Sequence, residues 1–393
     1  MYDQAITFRT LRNTLRRSDF IRYPRLRNPR TLDACIRLAC RYARNFEERL
    51  PSAIKRTSVK GKYINYVASF PMELVLRKIN SNLRVAFRPD PSDRSALVLT
   101  LCEALRDSNA YSLHRLDVKS FYESIDAGVL YSTVAASPAL SSTTSRLLYS
   151  MNKWHVSMGG AGIPRGLSTS ASLSEIYMAR FDVSVSAPAD HFYACRFADD
   201  IVLIYCSDKH ARRAVSDVVA SLPKGLEINR RKSTHHIAPK LASGKVAVSS
   251  LVFDVEYLGY KISVNDPVKE KGEKLRRSLQ LDIAESKVRK IKSRLTHCFL
   301  DFSKTADFDL LCARLRFLTS NYKINDKNGK FSRLAGIFFS YQLVDASSSK
   351  SLHELDLFLR KCVLSNSGPI FSITSSALTR ANKNALLANS FKK

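Results

Sequence analysis

Two acidic segments of this sequence contain residue types that could hold metal ions. In one, Asp199 and Asp200 stand between two apolar, strand-like runs in YACRFADDIVLIY, residues 193–205. In the other, Asp117 follows a short apolar strand in HRLDVKSFYESI, residues 114–125. Adjacent carboxylates repel each other, so an enclosed pair needs a cation to stabilise it. Asp is also common in ordinary hairpin turns, and the Asp pair taken alone favours that simpler interpretation.

A divalent cation would account for the three carboxylates together. Mg²⁺ prefers hard oxygen ligands and keeps coordination positions for phosphate oxygens. Two such ions about 3.5–4 Å apart can activate an attacking hydroxyl and stabilise a leaving group. Phosphoryl transfer needs little else from a protein beyond charge and positioning. We therefore predict that Asp117, Asp199 and Asp200 are catalytic residues and ligands of two Mg²⁺ ions, with Mn²⁺ as an alternative.

The composition of the chain indicates a large polyanionic partner. The 393 residues include 63 Lys and Arg against 35 Asp and Glu, which gives a net charge of +28. This charge favours a nucleic acid partner over a merely solvated basic surface. The 8 cysteines are scattered without CxxC pairs, which indicates reduced core residues. Because no apolar leader or membrane span is evident, we expect a cytoplasmic protein with no membrane partner.

The elements that must position these residues are short strands and helices in alternation. The strand-like segments LHRLDVKSFY, FYACRFADDIVLIYC and YLGYKIS alternate with helix-like stretches at residues 95–105, 168–181 and 210–222. This mixture predicts an α+β fold with an antiparallel sheet. Residues 347–349 and 325–331 are expected to be loops.

A basic segment from Lys269 to Arg294 carries apolar residues at helical spacing, among them Leu275 and Leu279. The spacing predicts an amphipathic helix whose apolar stripe packs against the protein. Its basic residues, including Arg277, would lie off that stripe. They could follow nucleic acid phosphates or simply be solvated, and the sequence leaves both interpretations open.

Five segments, in order, resemble the motifs of reverse transcriptases. They are Asp117 of the first palm motif, GIPRGLSTSASLSEIYM at Gly162–Met178, FADD at Phe197–Asp200, GLEINRRKST at Gly225–Thr234 with Lys232 at the motif lysine, and YLGY, whose Leu258, Gly259 and Tyr260 resemble a primer-grip hairpin. Any one match is weak, but five in the family's order are not expected by chance. The resemblance implies a right-hand polymerase with fingers, palm and helical thumb, and the activity of an RNA-directed DNA polymerase, a nucleotidyltransferase.

The resemblance also implies roles for residues around the acidic centre. Tyr122 matches the aromatic gate that excludes a ribose 2′-hydroxyl and so favours dNTPs, although it could instead be a core aromatic residue. Arg84 and Arg94 in RVAFRPDPSDR would meet the triphosphate, since guanidinium groups suit phosphate oxygens. Lys232 would protonate or neutralise the departing pyrophosphate, and a plain surface role for this lysine is an equal alternative.

The GIPRG segment is expected to contact the template and the incoming nucleotide. The residues predicted to do so are Gly162, Pro164, Arg165 and Gly166. Glycine at these positions would let the backbone approach the template closely. Four residues depart from the family pattern. Arg165 stands where the family has glutamine, Leu167 and Ser168 replace the usual Ser-Pro, and Glu175 stands where the family has asparagine. A cation at Arg165 could strengthen phosphate contacts or alter template reading.

The same resemblance implies a division of the chain into polymerase subdomains. The expected boundaries are a basic N-terminal extension at 1–60, fingers at 61–110, a palm at 111–265 with part of the fingers at about 135–180, a helical thumb at 266–340, and a C-terminal helical region and tail at 341–393.

Within the family, the chain most resembles the bacterial defence-associated enzymes, which are described as unknown-group or abortive-infection-like. Retron enzymes, matched by NAYSLH at Asn109–His114, and group II intron enzymes are more distant. No nuclease segment follows the thumb region, which favours a stand-alone enzyme. The resemblance implies antiphage defence with a cognate non-coding RNA template and a DNA product. A partner protein, a second polymerase subunit and a homo-oligomer remain open.

Three alternative functions are consistent with parts of the sequence. The first is an intron maturase that lacks its nuclease, and the second is a catalytically silent RNA-binding protein. Intact Asp117, Asp199 and Asp200 disfavour the silent protein, because mutually repelling carboxylates have no structural use. The third, an RNA-directed RNA polymerase, is disfavoured by the bulky Tyr122.

Overall fold

The computed structural model describes residues 2–59, 61–89, 93–186, 191–206, 208–240, 250–269, 275–325, 332–368 and 371–392. The helices are α1 (Phe8–Arg12), α2 (Arg17–Arg22), α3 (Pro29–Arg44), α4 (Phe46–Ala53), α5 (Phe70–Phe87), α6 (Arg94–Leu105), α7 (Phe121–Ser124), α8 (Ala127–Ala135), α9 (Ser142–Ser157), α10 (Ser168–Ser186), α11 (Asp208–Ala220), α12 (Glu285–Thr305), α13 (Phe308–Thr319), α14 (Ile337–Ser340), α15 (Lys350–Leu364), α16 (Phe371–Ala377) and α17 (Arg380–Leu387), with a 3-10 helix at Pro24–Arg27. The strands are β1 (Ile54–Val59), β2 (Lys62–Val67), β3 (Tyr111–Asp117), β4 (His191–Phe197), β5 (Asp200–Tyr205), β6 (Thr234–Ala238), β7 (Leu251–Tyr257), β8 (Tyr260–Lys269), β9 (Leu275–Ile283), β10 (Tyr322–Asn325) and β11 (Ser332–Ala335).

The chain folds into two compact units. The first unit contains Met1–Ser92 and Tyr111–Ile237, and the second contains Asp93–Ala110 and Ala238–Lys393. Both units are therefore assembled from segments that are separated in the sequence.

A four-stranded sheet with the strand order β4-β5-β3-β6 lies at the centre of the first unit. β5 is antiparallel to both β4 and β3. Its residues from Ile201 to Tyr205 are all buried, which explains why this strand is continuously apolar instead of alternating. Asp117 pairs with Asp200 across β3 and β5. The register therefore places the predicted acidic residues at the same end of the sheet.

Helix α5 forms the centre of the helical part of the first unit, and both α3 and α10 pack against it. Its residues Met72, Ile79 and Leu83 are completely buried. Arg77 on the same helix is 8% exposed and donates hydrogen bonds of 2.7 and 2.8 Å to the carboxylate of Asp19. Removing one partner of such a buried pair costs about 3–5 kcal/mol, so this contact fixes the N-terminal segment to the core.

The second unit combines a three-stranded antiparallel sheet, β7-β8-β9, with the helices from α12 onward. Its apolar core includes Leu295, Phe299, Leu315 and Leu355, each no more than 1% exposed. Truncating one such residue to alanine costs about 2–5 kcal/mol, so this core gives the unit its own source of stability.

The predicted amphipathic helix from Lys269 to Arg294 is wrong in its first part. Leu275–Ile283 is β9, and helix α12 begins only at Glu285. Leu279, Leu281 and Ile283 alternate along the chain with the two-residue period of a strand. This short alternation competes with the helical spacing, and pairing with β8 decides in favour of the strand.

Arg277 also differs from its prediction as a solvated or phosphate-contacting residue. Its side chain is 0% exposed and donates hydrogen bonds to the carbonyl oxygens of Asp107 at 2.9 Å and Asn109 at 3.3 Å. A third bond of 2.5 Å reaches the carbonyl of Pro239. Arg277 therefore stabilises the interior of the second unit.

The fold class and the three helix-like stretches agree with the predictions from the sequence. The α+β class with an antiparallel sheet is confirmed, and the helix-like stretches correspond to α6, α10 and α11. Residues 347–349 form the predicted loop before α15, whereas residues 326–331 of the other loop and residues 90–92 of RPDPSDR lie outside the described residues. In the described part of the chain, no helix combines the length and the apolar character that a membrane crossing needs.

Candidate active site

Asp117 is the last residue of β3, and its backbone is held firmly. Its N–H donates to Ser233 Oγ at 3.2 Å, and its carbonyl accepts a 2.7 Å hydrogen bond from Asn229 N–H. The residue is 7% exposed, and Oδ2 has no hydrogen-bond donor among the described residues. Lys232 Nζ lies 3.4 Å from that oxygen, at ion-pair distance. A buried carboxylate oxygen without a donor is costly unless a cation compensates it.

Asp199 lies in the turn between β4 and β5, and its carbonyl accepts a 2.9 Å hydrogen bond from Val118 N–H. This bond ties the turn to the end of β3. Burial raises the pKa of Asp199, and the nearby charges of Asp117 and Asp200 raise it further. Asp199 therefore ionises less readily than an exposed aspartate, as expected of a carboxylate placed to receive a cation.

The turn itself has an unusual backbone at Ala198, whose φ of 53° lies in the left-handed region. Arg196 donates a 3.0 Å hydrogen bond to the Ala198 carbonyl and is held by ion pairs with Glu175 and Asp182 on α10. Such a backbone is strained for a residue with a side chain. The buried Arg196 network therefore fixes the turn that carries Asp199.

Asp200 has a different environment from the other two acidic residues. Arg115 binds it through two hydrogen bonds, from Nε to Oδ1 at 2.7 Å and from a terminal nitrogen to Oδ2 at 2.8 Å. Each carboxylate oxygen of Asp200 therefore accepts a hydrogen bond, which partly neutralises its charge, and metal binding by Asp200 remains a prediction. Sequence reasoning missed Arg115. The available signal was its position two residues before Asp117, on the same face of β3.

A cavity of about 350 Å³ reaches the hairpin at Phe197 and Ala198. Two residues predicted to bind substrate, Arg84 and Tyr122, are in its wall. The volume is within the usual range for small-molecule sites. Burial raises the pKa of Tyr122, so the tyrosine keeps its proton and presents a neutral ring to the cavity.

Arg165, which stands in place of the family's glutamine, has a partner within this chain. It donates hydrogen bonds of 2.9 and 3.0 Å to the two carboxylate oxygens of Glu123. Its guanidinium carbon lies 4.9 Å from the ring centroid of Tyr122, in a cation–π contact. Glu175, the other charged residue among the departures, is paired with Arg196. Each unusual charge is thus balanced by a residue of opposite charge.

The glycines of the GIPRG segment are required by contacts within the protein, a reason that was not evident from the sequence. Gly162 has a φ of 62°, and a Cβ there would lie 2.1 Å from the carbonyl oxygen of Tyr122. Gly166 has a φ of 98°, and its Cβ would lie 2.3 Å from the carbonyl of Asn65. Pro164 accepts a hydrogen bond from Ser170 at its carbonyl. Template contact by this segment remains a prediction.

The predicted primer-grip residues are all in the second unit. Leu258 and Gly259 have φ values of 47° and 86° and form the two-residue turn between β7 and β8, a conformation that suits a tight hairpin. Arg94 donates a 2.8 Å hydrogen bond to the Leu258 carbonyl and lies over the ring of Tyr260 at 5.0 Å. Its guanidinium therefore supports this hairpin, and its predicted contact with a triphosphate remains a prediction.

The structure thus separates the predicted site residues into two groups. Those in the first unit are Arg84, Asp117, Tyr122, Gly162, Pro164, Arg165, Gly166, Asp199, Asp200 and Lys232, and those in the second unit are Arg94, Leu258, Gly259 and Tyr260. The first group contains both the acidic pair of Asp117 and Asp199 and the cavity wall.

Carboxylates at a sheet end, beside a cavity with basic and aromatic walls, are the arrangement that metal-dependent enzymes of nucleotidyl transfer use. Residues 54–262, more than half of the chain, match the model of the family described as reverse transcriptase (RNA-dependent DNA polymerase). The chain belongs to this family, which has the right-hand polymerase fold and generally uses divalent metal ions. The buried, donor-free oxygen of Asp117 fits such an ion.

Solved structures that match part of this chain include two telomerases. Apo telomerase from Candida tropicalis, truncated from its C-terminal domain, has a TM-score of 0.33 and 16% identity, with 49% of this chain and 43% of that chain covered. Telomerase from Candida albicans, in complex with the TWJ fragment of telomeric RNA, has a TM-score of 0.33 and 13% identity, with coverage of 80% and 53%. The chain spans about half the length of each telomerase. No curated protein shows a significant match to the sequence.

Proposed function

We propose that this chain is an RNA-directed DNA polymerase that extends a primer with dNTPs. The observation that carries the proposal is the buried oxygen Oδ2 of Asp117, which has no hydrogen-bond donor among the described residues. Burial and neighbouring negative charge also raise the pKa of the nearby Asp199. These two residues would hold Mg²⁺, and the Arg115 ion pair makes Asp200 a supporting residue. When bound, two divalent ions activate the primer hydroxyl and stabilise the leaving pyrophosphate.

The residues around the acidic pair divide the remaining tasks between them. Arg84 supplies a guanidinium to the triphosphate in the cavity, and the ring of Tyr122 limits space at the sugar so that dNTPs are preferred over rNTPs. Lys232 is 67% exposed on its side chain and lies close to Asp117. Its ammonium group can therefore partly neutralise Asp117 before substrate binds and the pyrophosphate as it departs.

We further propose that the enzyme acts in the cytoplasm of bacteria in antiphage defence and copies a cognate non-coding RNA. This finer proposal rests on the sequence resemblance to the defence-associated reverse transcriptases. The net charge of +28 supports an RNA partner. The DNA product and any partner protein, second polymerase subunit or second copy of the chain follow from the same resemblance.

The first experiment tests the polymerase activity directly. The protein is purified together with the RNA that it holds, that RNA is sequenced, and labelled dNTPs are added with Mg²⁺. We expect DNA synthesis in the wild type and in Asp217→Ala, which removes an exposed carboxylate on α11. Synthesis should be lost in Asp199→Ala. An inactive wild type that still holds RNA would instead support the silent RNA-binding alternative.

The second experiment tests the proposed role in defence. Bacteria that express the wild type, Asp199→Ala or Asp217→Ala are infected with a panel of phages, and plaques are counted. We expect fewer plaques with the wild type and with Asp217→Ala than with Asp199→Ala. Equal plaque numbers for an enzyme that synthesises DNA in vitro would reject the defence role and leave the polymerase proposal intact.

A further inference from the structure

A second group of metal-ligating side chains lies in the first unit, away from the acidic pair. His114 is on β3, His235 is on the neighbouring strand β6, and Asp208 is the first residue of α11. Side chains alternate along a strand, so His114 lies on the face of the sheet opposite to Asp117. One ligand atom from each of the three residues lies within 4.8 Å of the other two.

Two polar atoms of these three residues are buried without a hydrogen-bond partner among the described residues. They are Nε2 of His114, a residue that is 7% exposed, and Oδ1 of Asp208. His235 Nε2 lies 2.9 Å from the Asp208 oxygen, but the contact does not have the geometry of a hydrogen bond. Because buried polar atoms are nearly always hydrogen-bonded, two such atoms without a hydrogen bond in one three-residue group indicate a binding site.

A second partner orients Asp208. Arg212 approaches the other oxygen of Asp208, Oδ2, at 3.6 Å. This ion pair leaves Oδ1 beside His235 Nε2.

We propose that His114, Asp208 and His235 bind one Zn²⁺ ion. Zinc takes two imidazole nitrogens and one carboxylate oxygen readily, with water in a fourth position. Mg²⁺ prefers oxygen ligands and octahedral geometry, so the donor set distinguishes this site from the acidic pair on the opposite face. The ion ties together β3, β6 and α11, which are held otherwise by sheet pairing and apolar packing.

A small movement of the exposed His235 side chain would bring the ligand atoms to the spacing of a tetrahedral zinc site. Ligand atoms around a tetrahedral zinc are about 3.3 Å apart. The three ligand atoms now lie within 4.8 Å of one another, so the widest pair must close by at most about 1.5 Å. The rings of His114 and His235 are now stacked, with centroids 4.2 Å apart and planes at 17°. The side chain of His235 is 37% exposed, so it can turn toward the ion while the buried His114 stays in place.

The test measures bound metal and uses the full chain. The protein is treated with chelator, dialysed and titrated with Zn²⁺, and the bound zinc is counted by elemental analysis. Co²⁺ is then used as a spectroscopic probe, because a tetrahedral site gives strong visible absorption. The informative variants are His235→Ala and Asp208→Asn, since both side chains are partly exposed and their loss should leave the fold intact.

Three further variants exclude other sources of bound zinc. His236→Ala removes the adjacent histidine of β6, and Cys206→Ser removes an exposed thiol. Asp199→Ala removes one carboxylate of the acidic pair Asp117 and Asp199. We expect one bound zinc in the wild type and in all three controls. The affinity should fall at least about tenfold in His235→Ala and Asp208→Asn. Zinc at about 100 times its Kd should raise the Tm of the wild type by about 5–10 °C.

The outcomes separate this proposal from the polymerase proposal, on which it does not depend. A wild type without bound zinc, or a His235→Ala variant that binds zinc as tightly as the wild type, would overturn it. Loss of zinc in Cys206→Ser or in Asp199→Ala would assign the ion to another place and would also overturn it. Zinc binding in a protein that makes no DNA would support the zinc site alone.

Discussion

The ion pair between Arg115 and Asp200 leads to a quantitative prediction for Arg115→Met. Removing one partner of a buried pair costs about 3–5 kcal/mol, whereas an exposed pair contributes about 0–1 kcal/mol. The side chains are 22% and 14% exposed, which places this pair closer to the buried limit, at about 2–3 kcal/mol. For a unit of this size, such a loss lowers the Tm by about 4–12 °C.

The assay is scanning calorimetry of the metal-free protein, extended to a double-mutant cycle. Arg115→Met, Asp200→Asn and the double variant are compared with the wild type, and Arg146→Met on α9 serves as an exposed arginine control. We expect the double variant to be less destabilised than the sum of the single variants, by about 1–3 kcal/mol. The control should stay within about 0.5 kcal/mol of the wild type.

Mg²⁺ provides a second measurement in the same experiment. Without Arg115, the carboxylate of Asp200 is uncompensated beside Asp117, so added Mg²⁺ should stabilise Arg115→Met more than it stabilises the wild type. Additive single-variant effects, or a Tm for Arg115→Met within about 1 °C of the wild type, would refute the inference that Arg115 neutralises Asp200.

Three further predictions concern the site. Burial raises the pKa of Asp199, so the folded state loses stability as the pH rises through that pKa. Asp199→Asn should therefore raise the Tm of the metal-free protein near neutral pH, as measured by calorimetry, while it abolishes DNA synthesis. An unchanged Tm would show that the charge of Asp199 does not destabilise the fold. Tyr122→Ala should raise rNTP incorporation relative to dNTP by about tenfold or more in primer extension, whereas Tyr122→Phe should keep the wild-type preference. Glu123→Gln leaves Arg165 uncompensated and should lower the KM for dNTPs in steady-state assays, and a raised KM would show that the pair acts by positioning Tyr122.

Much of the sheet could be predicted from the sequence because its signals are local. The apolar run from Ile201 to Tyr205, followed by a polar segment and a helical pattern, has few other structural solutions. Asp117 and the Asp pair each lie at the end or the beginning of such a strand. The resemblance of these segments to the family's motifs predicted that the three carboxylates lie close together. The structure adds the register, which pairs Asp117 with Asp200.

The parts that could not be predicted depend on contacts between distant residues. The neutralisation of Asp200 requires the register of β3 against β5, because Arg115 lies diagonally across that pair of strands. The roles of Gly162 and Gly166 depend on backbone that packs against them from elsewhere in the chain. β9 was missed because a nine-residue segment can satisfy both apolar periods, and the pairing partner makes the choice.

The division of the second unit into separated segments has a consequence for synthesis on the ribosome. Helix α6 and the residues after it emerge early, but Arg277, which binds the carbonyl of Asp107, follows 170 residues later. At about 5–20 residues per second, this delay is roughly 8–35 seconds. During that time Val98, Leu101 and Leu105, which are completely buried in the finished fold, have no core to enter. The nascent chain therefore presents a defined apolar segment to chaperones before its second unit can close.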